Sequence, residues 1–531
     1  MRNFFKLIQI NRSNKYQSIH LLLPLFTVLT FFGPGFQSIS ISTWFWFPLA
    51  IYYSRNLSSW WGYIPFYFVN SIGTTLAFLG IWNKKNSNWS SHTFGYSVLL
   101  GLLMNCIILF SLILDRFAQM FFRGWAKFIV FPCVWTALWN IFIFVPFFGD
   151  LTNYAFIFVG FDEVMQFASF AGLGGINFVL SWQGTIGVYL YKKWVHKKIL
   201  LARDLESLNI ARKENQRPLL NPVLIYLLVL YLVVGYGSFR ISTSYIPFYQ
   251  QNIETFAKPG FTKVGCVIKA ENQNVSHYIE KTRELAFERT EFILWSEQLI
   301  TVNNDAELFN LTNSIVNISL TYNVYIGFTY LDKSDENKTY SKLVVFSSKG
   351  ELIINYAKTH LFPFTNDEDI ISGSGILQTK MTPDFGMISG AIGLDYDFPK
   401  LIHQASIEKV DFMLDASSTS SVLANYFPPR VTKIRAIENG FTVFRCSDFG
   451  ISGVWNSYGM PYAAVQTLQD VTITFQIPSL NKRVKTVYGI FGETWGWMCV
   501  CFSIIFILAM IMYAYFPPPC SINTKVRRIF P

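Results

Sequence analysis

The sequence predicts two kinds of structure in one chain: a multi-span α-helical membrane domain of about eight helices, and an α/β sandwich domain. Three observations predict it. First, apolar residues make up 51% of the 531 residues and charged residues only 14%, against about 25% in soluble domains. Second, the charges between residues 20 and 190 are just ten, gathered in clusters separated by apolar stretches. Third, residues 245–485 change character, with short apolar runs alternating with polar ones. This composition excludes a disordered chain, a coiled coil and a typical cytosolic enzyme, and the mean hydropathy of +0.31 points to a membrane protein.

A helix needs about 20 apolar residues to cross the hydrocarbon core. The sequence places spans near 19–36, 40–54, 59–82, 93–114, 127–148, 168–191, 219–239 and 489–515. Backbone polar groups in lipid must be satisfied within the segment, so these are helices. Positive charge orients them. Residues 1–19 carry four Lys/Arg and no acid, and 192–217 carry eight Lys/Arg and three acids. The tail adds Lys525, Arg527 and Arg528. With all three facing the cytoplasm, an eight-span path closes and puts 245–485 on the non-cytoplasmic side. The first apolar stretch lacks the small-residue cleavage site of a signal peptide. The expected domains are 1–244 (membrane, about seven spans), 245–485 (sandwich) and 486–531 (last span and tail). The net charge of +10 belongs to those loops, so no nucleic-acid partner is expected.

Within 245–485, strands are expected at 262–270, 291–295, 322–331, 385–393, 409–415, 441–446 and 451–455. A hairpin at 342–358 turns at Ser348-Lys349-Gly350. Helices are expected at 276–290, 305–319, 399–407 and 429–439, the last opened by Pro428 and Pro429 and stopped by Gly440. Such alternation with hairpins predicts an α/β sandwich of about 220–240 residues. Segment 299–340, rich in Asn, Ser and Thr, reads as loop-heavy. The seven Cys are scattered without a Cys-x-x-Cys pair, so neither a zinc site nor a disulfide framework is expected. Cys266 and Cys446 read as core thiols.

Ligands of α/β folds bind beyond the carboxyl ends of strands. Glu297 follows one strand, Lys358 ends the hairpin, and Asp395 follows another strand. Each alone reads as a solvated turn; the three in this order do not.

Here the sequence resembles the apolipoprotein N-acyltransferase family of the nitrilase superfamily. ILWSEQ (293–298) is similar to its strand-end Glu motif. YAKTHLFPFTNDE (356–368) is similar to its Tyr-x-Lys-x-His-Leu-x-Pro-Phe motif, and AIGLDYDFP (391–399) to its Ile-Cys-Tyr-Glu/Asp-x-x-Phe-Pro motif. RAIENGFTVFRCSDFGISGVWNSYG (435–459) resembles the segment that follows. GWAKFIVFPCVWTALW (124–139) and AGLGGINFVLSW (171–182) resemble its membrane signatures. The resemblance implies a nitrilase-like αββα sandwich and acyl transfer from phospholipid to a lipoprotein amine through a Cys thioester. It implies Glu297 as general base, Lys358 as oxyanion-stabilising cation and residue 393 as nucleophile. It also implies binding positions at Asp395 and Asn366, membrane phospholipid and a lipidated protein as partners, and no cofactor or metal.

Position 393 is Gly, which has no side chain to attack with. Neighbouring residues Ile392, Asp395, Phe398 and Pro399 keep register. Ser389 lies four residues back along the strand, about 13 Å away by strand rise, and Ser417 is nearby in sequence; an alcohol needs stronger activation than a thiol. The family segment Ser-Asn-Asp-x-Trp-Phe is ASSTSS here (416–421). Two functions stay open: an acyltransferase-like protein with impaired thioester chemistry, or a non-catalytic protein that binds lipid or lipoprotein, or partners an active paralogue. His360 reads as a supporting residue, and Asp162 and Glu163 as a solvated loop.

Overall fold

A computed structural model of the chain describes residues 19–515, apart from short internal segments of which the longest are 80–90, 202–220, 245–260, 362–369 and 419–429. Helices lie at all eight expected places. They are α1 (Leu23–Phe31), α2 (Ser40–Asn56), α3 (Tyr63–Ala77), α4 (Ser91–Phe121), α5 (Ala126–Ile143), α7 (Ala168–Leu201), α8 (Pro222–Thr243) and α14 (Thr494–Tyr515), with a one-turn helix α6 (Asp162–Met165) before α7. Among the described residues, four segments are both long and apolar enough to cross a membrane: Phe94–Phe121, Ala126–Ile143, Pro222–Thr243 and Thr494–Tyr513. α1 is shorter than expected, and α2 carries Pro48 inside. α7 is long, but Asn177, Ser181, Gln183 and Thr185 interrupt its apolar run; all four are buried. The protein is a multi-pass membrane protein.

The helical core is aromatic. Trp46, Phe47, Trp135, Trp139 and Tyr154 are all nearly inaccessible and pack edge-on or tilted against one another at centroid separations between 4.8 and 6.3 Å. Such pairs add to the burial of their large apolar surface. The outer faces of α8 and α14 expose Leu224, Leu228, Leu232, Ile504, Ile505 and Leu508, as a lipid-facing surface requires.

The second part contains β1 (Phe261–Val267), α9 (Val275–Phe287), β2 (Phe292–Trp295), β3 (Ile300–Val302), α10 (Asp305–Tyr322), β4 (Tyr325–Asp335), β5 (Lys338–Phe346) and β6 (Leu352–Ala357). It continues with β7 (Thr379–Thr382), β8 (Gly386–Ile392), a 3-10 turn (Gly393–Asp397), α11 (Pro399–Ile407), β9 (Phe412–Ser418), α12 (Arg430–Asn439), β10 (Thr442–Asp448), β11 (Gly450–Trp455), β12 (Pro461–Thr467) and β13 (Thr472–Pro478). A short helix α13 (Val487–Phe491) leads into α14. One sheet runs β13-β1-β2-β4-β5-β6, with β3 beside β4; the other runs β12-β11-β10-β9-β8-β7. Their inner faces bury Phe292, Leu294, Leu343, Val345, Ile388, Phe412, Leu414 and Phe444. α9 and α10 cover the first sheet. α11 and α12 cover the second, and Ile434 and Ile437 of α12 also join the membrane-domain core. The helix layer thus seats the sandwich on the membrane part. The order is α-β-β-α, as expected.

Three expectations are corrected. Segment 299–340 is mostly regular, because the N-capped α10 and the eleven-residue β4 occupy it. Asn304 accepts from Glu307 N and Asn323 closes the helix in a left-handed conformation, so Asn serves as caps here. Cys266 and Cys446 form a disulfide with a Cα separation of 5.5 Å; β1 and β10 lie in different sheets, and alternation turns both side chains into the space between them. Asp162 is not simply solvated: its carboxylate pairs with Lys433 of α12 at 2.5 Å.

Candidate functional site

The carboxyl ends of β2, β6, β8 and β9 converge, and the residues just beyond them meet. Glu297 lies two residues past β2. Its main-chain N–H donates to Ser417 O at 3.2 Å, which ties the turn to the opposite sheet. Lys358 directly follows β6, anchored by its N–H to Ser341 O at 2.8 Å. Lys358 Nζ donates to Glu297 Oε1 at 2.5 Å, and the two side chains are 7% and 6% exposed. Glu297 Oε2 accepts from Ser418 N at 3.0 Å. A buried carboxylate is tolerable only with such charge-assisted partners.

Gly393 stands against the same carboxylate. It is the first residue past β8, with φ of +48°, and an ideal Cβ there would lie 2.6 Å from Glu297 Oε2. The left-handed conformation favours glycine over any other residue. Glu297, Lys358 and position 393 therefore meet in one cluster beyond the ends of β2, β6 and β8.

Asp395 has a different place from a ligand-facing one. It is 0% exposed, and its oxygens accept from Tyr356 Oη at 2.7 Å, His360 N at 2.7 Å and Thr359 N at 3.2 Å. His360 Nδ1 lies 3.0 Å from the same carboxylate, and its ring stacks on Phe398 at 3.6 Å between centroids. Burial and the nearby Asp395 charge push the Tyr356 phenol up, so it stays a donor. Asp395 holds the strand carrying Lys358 to the turn carrying Gly393. Asn366 lies outside the described residues.

The candidate alcohols are occupied. Ser389 Oγ donates to Gln378 O. Ser417 Oγ donates to Asp415 Oδ1 at 2.5 Å, and Asp415 also takes Thr432 and Arg445 at 2.7 Å each. The Ser418 N–H was not singled out from sequence, because a main-chain donor leaves no residue signature.

Beside the pocket, a cleft of about 300 Å³ is lined by Phe144 of the α5 end and by His360, Phe398, Lys400 and Gln404 of the sandwich. Below α12, Arg435 donates to Asp150 and to Glu438, and Asp150 N donates to Asp397 O at 2.8 Å. Burial pushes the Asp397 and Glu438 carboxyls up to about 8, Arg435 opposing the rise in both. Glu493, just before α14, is pushed up to about 7 by burial. Among the described residues no cluster has the donors of a metal site.

Residues 256–479 match the carbon-nitrogen hydrolase family. The chain is 23% identical over 445 residues to an apolipoprotein N-acyltransferase of Rickettsia prowazekii (strain Madrid E), covering 78% of this chain and 80% of that one. It is 24% identical over 393 residues to the apolipoprotein N-acyltransferase of Rickettsia typhi (strain ATCC VR-144 / Wilmington), covering 68% and 70%. Similar solved structures include an amidase from Nesterenkonia sp., with a TM-score of 0.37 and 13% identity, covering 42% of this chain and 92% of that one.

Proposed function

We propose that this chain, which carries a carbon-nitrogen hydrolase domain and is similar to apolipoprotein N-acyltransferases, keeps that family's pocket while the thioester route of acyl transfer is lost. In the family reaction a Cys thiolate takes the acyl group from phospholipid and a lipoprotein amine then receives it. Glu297 holds the base position and Lys358 the oxyanion position, and Gly393 leaves the nucleophile position empty of chemistry. The carrying observation is that Gly393 faces Glu297 Oε2 closely enough for a side chain to touch it. The remaining function is binding: membrane phospholipid or lipidated protein held at the floor of the sandwich. The cleft beside Phe144 and Lys400 supports this, because it pairs an apolar wall from the membrane part with a cation from the sandwich.

The sandwich lies on the non-cytoplasmic side in this reading. The basic loop 192–217 supports that orientation, and so does the Cys266–Cys446 disulfide, since such bonds persist in oxidising compartments. A single Cys placed at the exposed Lys333, in a chain without its exposed free thiols, should react with an impermeant maleimide on intact cells. Reaction only after permeabilisation refutes the orientation.

The functional test uses the full chain in phospholipid nanodiscs with a diacylated lipopeptide. The lipopeptide should be retained by the nanodiscs in a chain-dependent way and keep its free amine, read by mass. A gain of one acyl chain on the peptide refutes the proposal.

A further inference from the structure

The cleft of about 300 Å³ between the sandwich and the end of α5 has a one-sided set of polar groups. Among the described residues, Thr359, His360, Lys400 and Gln404 line it, and no carboxylate joins them. Two of the four are spent on the wall itself. Gln404 Nε2 donates to Gly375 O at 2.8 Å, and its Oε1 accepts from Leu377 N at 3.0 Å. Thr359 Oγ1 pairs with Tyr356 Oη at 3.0 Å, and its N–H donates to Asp395. These bonds fix the cleft before a ligand enters, which lowers the cost of binding.

Lys400 and His360 are left to meet a ligand. Lys400 is exposed and makes no ion pair among the described residues. Pro399 opens α11 without an N–H, no side chain caps the helix, and a first-turn N–H such as that of Lys400 has no partner inside it. The ammonium and the positive end of the helix therefore act together. His360 turns Nδ1 to Asp395 at 3.0 Å and one ring face to Phe398, which leaves its Nε2 edge for the cleft. Asp395 itself is 0% exposed behind it. Free cationic and donor groups with no acid beside them select an anion. A headgroup that also carries an amine would set a second cation against Lys400, with no carboxylate to receive it.

The other wall of the cleft faces lipid. Phe144, which directly follows α5, is 40% exposed and packs against Trp497 of α14 at 5.3 Å between centroids. Exposed aromatic residues of this kind mark the membrane–water interface. The next turns of α14 expose Met498, Phe502 and Ile505. We infer that this cleft binds the phosphate of an anionic membrane phospholipid, with Lys400 selecting the charge and the acyl chains lying on the exposed face of α14 beside Phe144 and Trp497. The volume is at the small end of ligand pockets and suits a glycerophosphate headgroup, while the chains stay in the bilayer and need no cavity. The inference rests on the binding function proposed above and names its ligand.

The test uses the delipidated full chain in neutral detergent and a phosphatidylglycerol with a fluorescent acyl tail, read by anisotropy. Unlabelled dioleoyl phosphatidylglycerol should displace the probe at a concentration about tenfold lower than dioleoyl phosphatidylcholine, the difference expected for one hydrogen-bonded charge. Glycerol phosphate at the same concentrations should not displace it. Lys400→Gln should lower the phosphatidylglycerol affinity about tenfold, and with it the preference, while Lys400→Arg should keep the preference. Lys400 is exposed, so neither change threatens the fold. Equal displacement by phosphatidylcholine, or a preference intact in Lys400→Gln, overturns the charge assignment. Equal displacement by glycerol phosphate makes the cleft a free-anion site and overturns the lipid assignment. A chain that retains the lipopeptide in nanodiscs yet binds no probe overturns this inference alone; a chain that does neither overturns the proposed binding function as well.

Discussion

Glu297 Oε2 lies 2.6 Å from the point where the first side-chain carbon of residue 393 would stand. The carboxylate is held there by Lys358 and by Ser418 N, so it cannot swing aside without breaking a bond. Gly393→Ala therefore meets two obstacles, the left-handed backbone and the carboxylate. A loss of about 1–3 kcal/mol is expected in chemical unfolding. A neutral Gly393→Ala contradicts the turn geometry.

Lys358→Met removes the cation bonded to Glu297 Oε1. Deleting one partner of a buried ion pair typically costs about 3–5 kcal/mol, because the remaining charge stays desolvated. Adding Glu297→Gln to Lys358→Met should recover part of the loss, a coupling that a double-mutant cycle measures. Additive losses mean that the two side chains do not interact.

The Cys266–Cys446 bond closes a loop across 180 residues of sequence and joins the two sheets. Replacing either Cys by Ser should cost roughly 2–5 kcal/mol. Mass analysis of alkylated protein should show both thiols protected until a reductant is added. Alkylation of both in unreduced, unfolded protein contradicts the bond.

Asp397, Glu438 and Glu493 meet under α12 around Arg435, with Asp150 beside them and Tyr488, Asp415 and Arg445 within electrostatic reach. Burial raises these three carboxyls to about 8, 8 and 7, above their unfolded values. A raised carboxyl favours the folded state when protonated. Its contribution is complete below the ordinary carboxylate range and is lost as pH rises through the folded value. The junction between sandwich and membrane part should therefore loosen as pH rises from about 4 to about 8 and change little above that. Amide exchange in 149–154 and 430–439, corrected for the intrinsic rate, reads this. Protection that is flat across that window contradicts the raised values.

The sequence made the sandwich legible where periodicity and punctuation agreed. Pro428, Pro429 and Gly440 bracket α12 within a residue, and the turn at Gly350 marks the β5–β6 hairpin. Glu297 and Lys358 were legible because strand ends place them on one edge. Less legible were β3 and β7, which are only three and four residues long, and β12 and β13, which gain their partners only from the assembled sheets. The disulfide was hidden because its partners are distant in sequence and the inter-sheet register is not written locally.

Covalent trapping shows whether the Glu297–Lys358 pair works without a nucleophile at position 393. The native chain in nanodiscs is incubated with a phospholipid bearing an alkyne-tagged acyl chain, denatured, conjugated to a fluorophore and separated. No label should remain on the protein. A label that survives denaturation, is released by hydroxylamine and disappears in Glu297→Ala would reveal an acyl-enzyme built on another side chain and contradict the account.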